Sequence, residues 1–260
     1  MKSTWFGTRE RYDFARLLHE ADYSLRLDEV FRLFLETSFC AVYQPAHKLR
    51  TGATCEKEEA SYMQSIGRIK HAKKFGEAMG VLALGLEKDP CDFLGNTMME
   101  LDLNDKNFRG QCFTPQAVSR VMAELTLADT KPVSGRTLML SEPACGGGSM
   151  VIEASQVLKN NGFYPWDFCW QAVDVDWRCF AMTYIQTTLL GIAAEVVWGN
   201  TLSQKFDRVE WNMIAVMHPP KRDKGKDEQL EPVKPEVAKP EVMDTTNAIE
   251  LSQVTQLSLF

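Results

Sequence analysis

The chain of 260 residues contains no run of eighteen apolar residues, so no membrane-spanning helix is expected. Its opening, Met1-Lys-Ser-Thr-Trp-Phe-Gly-Thr-Arg-Glu10, has no apolar stretch of the signal-peptide kind, and a secreted product is not expected. Histidine is scarce, at four, and the seven cysteines are scattered without Cys-x-x-Cys spacing or Cys/His pairing. That pattern argues against a metal site, and the odd number argues for reduced thiols in a cytoplasm rather than a disulfide framework. Basic charge is not in excess either, since the formal net charge is −6. A nucleic-acid enzyme usually shows a basic face, so contact with a polyanion would have to come from a local patch. What the chain does have is 45% apolar residues, enough for one sizeable α/β domain with a helical extension.

The most informative stretch is Glu142-Pro-Ala-Cys-Gly-Gly-Gly-Ser149. Before it, Thr137–Ser141 is a short apolar run that reads as a buried strand. After it, Met150–Leu158 has apolar residues at helical spacing. The glycines therefore sit on a strand-to-helix turn, where they permit positive φ and close approach of a ligand to the backbone. The first N–H groups of the following helix face the same place. This geometry suits a nucleotide-like ligand at the carboxyl edge of a parallel sheet. A second strand, Phe168–Val173, ends in Asp174 and Asp176, where a carboxylate could accept both hydrogens of a ribose hydroxyl pair. A helix over Arg178–Leu190, a third strand over Glu195–Trp198 and a fourth over Trp211–Met217 are expected to follow.

Upstream the pattern is helical. Tyr12–His19 and Leu27–Leu35 carry apolar residues three and four apart, with Pro45 expected to close the second region, and a further helix is expected over Glu56–Leu86. Within it, Arg68-Ile-Lys-His-Ala-Lys-Lys74 reads as a solvated helix face, with phosphate contact as the alternative. His19, His47 and His71 show no metal-ligand spacing. Phe113-Thr114-Pro115 opens a helix over Gln116–Leu127, with Thr114 the expected N-cap and Pro115 in the first turn.

The order Gly110-Gln-Cys-Phe-Thr-Pro115, then Glu142-Pro-Ala-Cys-Gly-Gly-Gly148, then an acidic strand end, resembles the amino-group DNA methyltransferases that modify adenine. Within them it is most similar to the modification subunits of type I restriction systems and their phage and plasmid relatives. Their usual pattern is Gly-Gln-Phe-Tyr/Phe-Thr-Pro followed by Asp-Pro-Ala-Cys-Gly-Ser/Ala-Gly. The Asp92-Phe-Leu-Gly95 segment adds a further point of likeness, resembling a helix that links the family's N-terminal part to its catalytic domain. The resemblance covers roughly Asp92 to Asn200. It implies an α/β fold with a Rossmann-like core that binds S-adenosylmethionine and acts on DNA. It also implies cofactor contacts from Phe113, Thr114, Pro115, Glu142, Ala144, Gly146, Gly148 and Asp174, with Asp176 a near alternative to Asp174. Asn200 stands where the family usually has an aspartate that accepts from the cofactor's adenine amino group, and its carbonyl could still accept, less strongly.

The family places Asn/Asp-Pro-Pro-Tyr/Phe after its fourth strand, to bind and stack on the flipped target base. Here that position reads His218-Pro219-Pro220-Lys221. A neutral histidine accepts at one nitrogen only, and lysine cannot stack as a ring does, so catalysis is expected to be weakened or lost. Lys221–Asp244, rich in Lys, Glu and Pro, reads as an extended solvated linker. The sheet is therefore expected to be a truncated half unless a second subunit completes it. The chain closes in Gln256-Leu257-Ser258-Leu259-Phe260, similar to the peptide by which bacterial replication proteins bind the DNA polymerase sliding clamp. Gln256 would orient that segment, and Leu257, Leu259 and Phe260 would anchor it.

The expected organisation is a helical region over 1–108, a methyltransferase-like core over 109–220 and a linker with a clamp-binding-like peptide over 221–260. Two functional readings follow. One is an enzyme that methylates the exocyclic amine of adenine in DNA. The other is a non-catalytic protein of the same fold that acts through DNA, a modification-system partner or the sliding clamp.

Overall fold

The helical periodicity of the N-terminal half is realised in five helices. The computed structural model describes residues 6–103 and 113–221, so Gly110-Gln-Cys112 and the Gln256–Phe260 peptide lie outside the described residues. The chain divides into two compact units, Met1–Arg222 and Asp223–Phe260, and every described residue belongs to the first. Helices α1 (Arg9–Ala21), α2 (Leu27–Thr51), α3 (Glu56–Ile66), α4 (Lys73–Lys88) and α5 (Phe93–Glu100) come before the glycine turn.

Two boundaries differ from the sequence expectation. Pro45 lies inside α2 and does not close it. The helix runs on to Thr51 and ends at Gly52, whose left-handed backbone lets its N–H donate to Lys48 O at 2.8 Å. An interior proline costs about 3 kcal/mol, but α2 buries Phe31, Phe34, Phe39, Tyr43 and Ala46 along its length, and that burial outweighs the local penalty. The single helix expected over 56–86 is two, broken at Gly67. The connection is tied to the end of α1, where the His71 N–H donates to Ala21 O at 3.0 Å. The basic residues around this break are ion-paired: Arg68 with Glu29, Lys70 with Asp22, and Lys74 with Glu20 and Glu77.

The second half builds the sheet, in the order α6 (Gln116–Leu127), β1 (Leu138–Glu142), α7 (Ser149–Asn160), β2 (Phe168–Asp174), α8 (Trp177–Leu189), β3 (Ala194–Asn200), β4 (Lys205–Trp211) and α9 (Met213–Met217). The strand order is β1-β2-β3-β4. The first three strands are parallel, and β4 runs antiparallel to β3. The expected fourth strand over 211–217 is therefore corrected: β4 precedes it, and Met213–Met217 is a helical turn. Asn212 fixes the switch. Its Oδ1 accepts from Ala215 N–H and Ala194 N–H, and its Nδ2 donates to Ile192 O at 2.7 Å, so a fully buried amide caps the turn. A short apolar run does not distinguish strand from helix by periodicity, and the cap decides it.

One hydrophobic core runs from Phe14 and Phe34 through Phe93 to Ile152, Phe180 and Val196, so the N-terminal helices and the sheet share an interior. Phe14 packs edge-on against Phe34 and Phe93 at 5.0 and 5.5 Å between centroids. Arg208 of β4 lies over the Phe39 and Tyr43 rings at 4.7 and 4.9 Å and pairs with Glu58 and Glu210, tying β4 to α2 and α3. On the sheet's other face, Met139, Ser141, Gln171 and Val209 are exposed. Among the described residues, β1 pairs with β2 on one side only.

Candidate functional site

The parallel register brings the carboxyl ends of β1 and β2 to one edge of the sheet, with Glu142 opposite Ala172 and Asp174 opposite Trp198. Between them lies the glycine turn. Gly146 and Gly148 have φ of 55° and 99°, the left-handed region that side chains avoid, and Gly148 is the N-cap of α7. The turn is hydrogen-bonded from every side. Cys145 N–H donates to Val173 O at 2.9 Å, and Gly148 N–H donates to Cys145 O at 2.8 Å. Gly146 N–H donates to Asp174 Oδ2 at 2.8 Å.

Asp174 also accepts from Asp176 N–H at 2.9 Å. Burial raises its carboxyl above the ordinary aspartate value, against the two backbone N–H groups that favour the charged form. Asp176, the near alternative, is otherwise engaged. It caps α8 by accepting from Arg178 N–H at 2.8 Å and pairs with the Arg178 guanidinium at 2.7 Å. Glu142 accepts from Ala144 N–H at 3.2 Å, which curves the chain into the turn.

Phe113 covers the glycines. A Cβ on Gly146 would lie 3.2 Å from its ring, so the Phe-Thr-Pro segment sits over the turn. Behind it, α6 is tied to α7 by Ser119 and Ser149, whose hydroxyl oxygens are 2.9 Å apart. Thr114 is not the N-cap of α6: Pro115 holds that position through its carbonyl, which accepts from Val118 and Ser119 N–H. The proline fixes the φ of the cap residue, leaving Thr114 one place too early to reach the first turn.

Asn200 ends β3 at the same edge, but its Oδ1 accepts from Leu202 and Ser203 N–H at 2.9 and 3.1 Å. The carbonyl expected to meet an adenine amino group is thus committed to a turn, and the amide NH2 is the group that remains.

His218, Pro219 and Pro220, expected at the target base, do not join this cluster. His218 is the C-cap of α9, its ring 5.3 Å from Trp166. Lys221 N–H donates to Thr137 Oγ1 at 3.0 Å, at the beginning of β1. These residues therefore lie at the amino edge of the sheet, separated from the glycine turn by the length of β1, about 13 Å at 3.3 Å per residue. The displacement follows from β4 reversing direction and the chain then returning through α9.

Sequence reasoning missed the polar residues that hold the turn from behind. Thr183 donates to Gly146 O at 3.0 Å, and Gln186 donates to Gly147 O at 2.7 Å. Both are fully buried on α8. Thr183, Gln186 and Thr187, three and four apart in an otherwise apolar helix, were the available signal. Cys145 is buried within the turn, and burial pushes its thiol well above the ordinary value.

A cleft of about 1130 Å³ lies elsewhere, between α2, α3 and the start of α8. Its arginines are matched by carboxylates: Arg26 by Asp28, Arg32 by Glu36, Arg178 by Asp176 and Arg208 by Glu58. A self-neutralised cleft does not suit a polyanion. Among the described residues no three His, Cys, Asp or Glu side chains are grouped to hold a metal ion, and no helix is long and apolar enough to cross a membrane.

The family model described as N-6 DNA Methylase matches residues 96–247, more than half of the chain. The chain belongs to the N-6 DNA methylase family. Its α/β architecture places the glycine turn after the first strand of a mainly parallel sheet, and S-adenosylmethionine is the cofactor that membership implies. Among solved structures the chain is similar to a putative class I S-adenosylmethionine-dependent methyltransferase from Listeria monocytogenes. The identity is 14%, over 75% of this chain and 55% of that one, with a TM-score of 0.42. It is also similar to the methyltransferase subunit of a type I restriction-modification system from Streptococcus thermophilus, at 15% identity over 73% of this chain and 42% of that one, with a TM-score of 0.34. The chain thus spans about half the length of these structures. No curated protein matches it.

Proposed function

We propose that this methylase-family chain holds S-adenosylmethionine at the glycine turn and serves methylation of adenine in DNA, with the target-base chemistry supplied by a second subunit rather than by residues 218–220. The cofactor fits the residues present. Gly146 and Gly148 leave the turn without side chains, Phe113 lies over it, and the Asp174 carboxylate stands at the end of β2, where a ribose hydroxyl pair can donate to it. Glu142, Ala144, Thr114 and Pro115 border the same turn, and the Asn200 amide offers a donor to a ring nitrogen of the adenine. When bound, the cofactor supplies an electrophilic methyl group. The chain's own contribution is to bind and orient it.

The observation that carries the reading is the separation of His218-Pro219-Pro220 from the glycine turn by the length of β1. A methyl donor at one edge of the sheet cannot reach a base held at the other. Residues capable of accepting from an exocyclic amine would come from outside the described residues, among which β1, with Met139 exposed, pairs with β2 alone. The isolated chain then behaves as the cofactor-binding half of a methyltransferase. The C-terminal Gln256-Leu257-Ser258-Leu259-Phe260 would link the chain to the sliding clamp.

A methyl-transfer assay on mixed-sequence DNA, run with cofactor calorimetry on the same sample, tests this. Cofactor binding without incorporation of labelled methyl into adenine is the expected result. Robust incorporation by the purified chain alone would overturn the two-subunit reading.

A further inference from the structure

The Asp92-Phe-Leu-Gly95 segment has a use that its role as a helix start does not exhaust. Asp92 Oδ1 accepts from Gly95 N–H at 2.8 Å, which caps α5. The same oxygen accepts from Gln186 Nε2 at 3.0 Å, and that nitrogen also donates to Gly147 O at 2.7 Å. Gln186 Oε1 in turn accepts from Leu94 N–H at 2.9 Å. One fully buried amide on α8 thus joins the start of α5 to the middle residue of the glycine turn.

The second carboxyl oxygen of Asp92 is buried and has no hydrogen-bond partner among the described residues. It lies wedged between two glycines: a Cβ on Gly147 would come within 2.3 Å of it, and a Cβ on Gly95 within 2.1 Å. A buried polar oxygen left without a partner is costly and survives where the surroundings hold it in place. Gly147 needs no unusual φ, so its lack of a side chain is accounted for by this contact alone.

We propose that Asp92 and Gln186 are positioning residues for the cofactor turn: they fix the carbonyl and Cα of Gly147 from behind, so that the N-terminal helices form part of the cofactor site. The proposal rests on the reading that the glycine turn binds S-adenosylmethionine. The support itself is tested without cofactor. Gln186 lies on α8 and Asp92 at the start of α5, and both meet the turn at Gly147. Their action is therefore on the shape of the turn, through the carbonyl held by Gln186 and the close packing that excludes a Cβ at Gly147. Shape at such a turn matters because its N–H groups and approach distance are fixed before the ligand arrives.

The full chain carrying Gln186→Leu keeps the side-chain volume and loses all three bonds. Asp92→Asn keeps the shape and the acceptor on Oδ1. Phe163→Leu, in the connection from α7 to β2, serves as a control that lowers stability away from the turn. Hydrogen exchange of peptides spanning residues 145–149 and calorimetric titration with S-adenosylmethionine are measured well below each variant's melting temperature. Gln186→Leu is expected to speed exchange in 145–149 and to weaken cofactor binding, each by tenfold or more. Asp92→Asn should stay within threefold of the parent in both, and Phe163→Leu should leave both unchanged. Unchanged exchange in Gln186→Leu, or an equal effect in Phe163→Leu, overturns the inference. A chain that shows the exchange pattern but binds no cofactor upholds the support and overturns the cofactor reading instead.

Discussion

Replacing Gly147 by alanine puts a methyl group where Asp92 already sits. The added carbon would lie 2.3, 2.4 and 2.6 Å from Oδ2, Oδ1 and Cγ of that side chain. An ordinary contact needs the carboxyl group to retreat by about 1 Å. It has no free direction, because the start of α5 closes the other side at Gly95. Moving it breaks the bonds from Gly95 N–H and Gln186 Nε2. Two buried hydrogen bonds at about 1–3 kcal/mol each, with overpacking of about 1–3 kcal/mol, give a loss of about 3–9 kcal/mol. For a unit of this length each kcal/mol lowers Tm by about 2–4 °C, so the variant should melt on the order of 10 °C or more below the parent. Calorimetric melting measures this. A double-mutant cycle with Asp92→Ser, which keeps a capping oxygen and removes the crowding, isolates the contact. On that background the same Gly147→Ala change should cost less than about 1 kcal/mol, as at an ordinary glycine site. A Tm shift under about 2 °C for Gly147→Ala, or equal costs on the two backgrounds, would refute the reasoning.

Other outcomes follow from the same geometry. Burial raises the Asp174 carboxyl above the ordinary aspartate range, so the folded protein holds this proton more tightly than the unfolded chain. The stability tied to that group is then lost as pH rises from the ordinary carboxylate range through the raised value. Cofactor binding, which needs the charged acceptor, should instead weaken as pH falls through that value, and Asp174→Asn should flatten the profile while lowering affinity roughly tenfold or more. His218→Asn should leave both cofactor affinity and methyl transfer unchanged, because residue 218 lies at the amino edge of the sheet; a gain in adenine methylation would count against this placement. Deleting residues 256–260 should leave Tm and cofactor binding unchanged and abolish retention on the bacterial sliding clamp. A Tm drop of many degrees, or clamp binding that ignores Phe260, would defeat the tether.

The glycine turn and the acidic strand end were legible because their residues are local. Glu142-Pro-Ala-Cys-Gly-Gly-Gly148 needs its glycines within one turn, and Asp174 ends a strand whose apolar run is plain in the sequence. The bounds of β1 and β2 shift by a single residue from expectation, as strand ends commonly do. Helix interiors were less legible. Pro45 signals a stop locally, but the burial of Phe31, Phe34 and Phe39 is set by tertiary packing that the local signal does not contain. The segment after Asn200 misled most. Trp211–Met217 has the composition of a strand, and only Asn212, satisfied by bonds to β3 and its approach, reveals the helical turn. The support of the glycine turn by Asp92 and Gln186, 94 positions apart, was invisible because it joins two helices distant in sequence.

Calorimetric titration of the folded chain with S-adenosylmethionine, beside the Gly146→Val variant, addresses the central claim most directly. The account predicts saturable heat with one site per chain for the parent. It predicts none for the variant, because valine at φ 55° is strained and its side chain would meet the Phe113 ring. No heat from the parent at millimolar cofactor, or equal heats from both proteins, would contradict it.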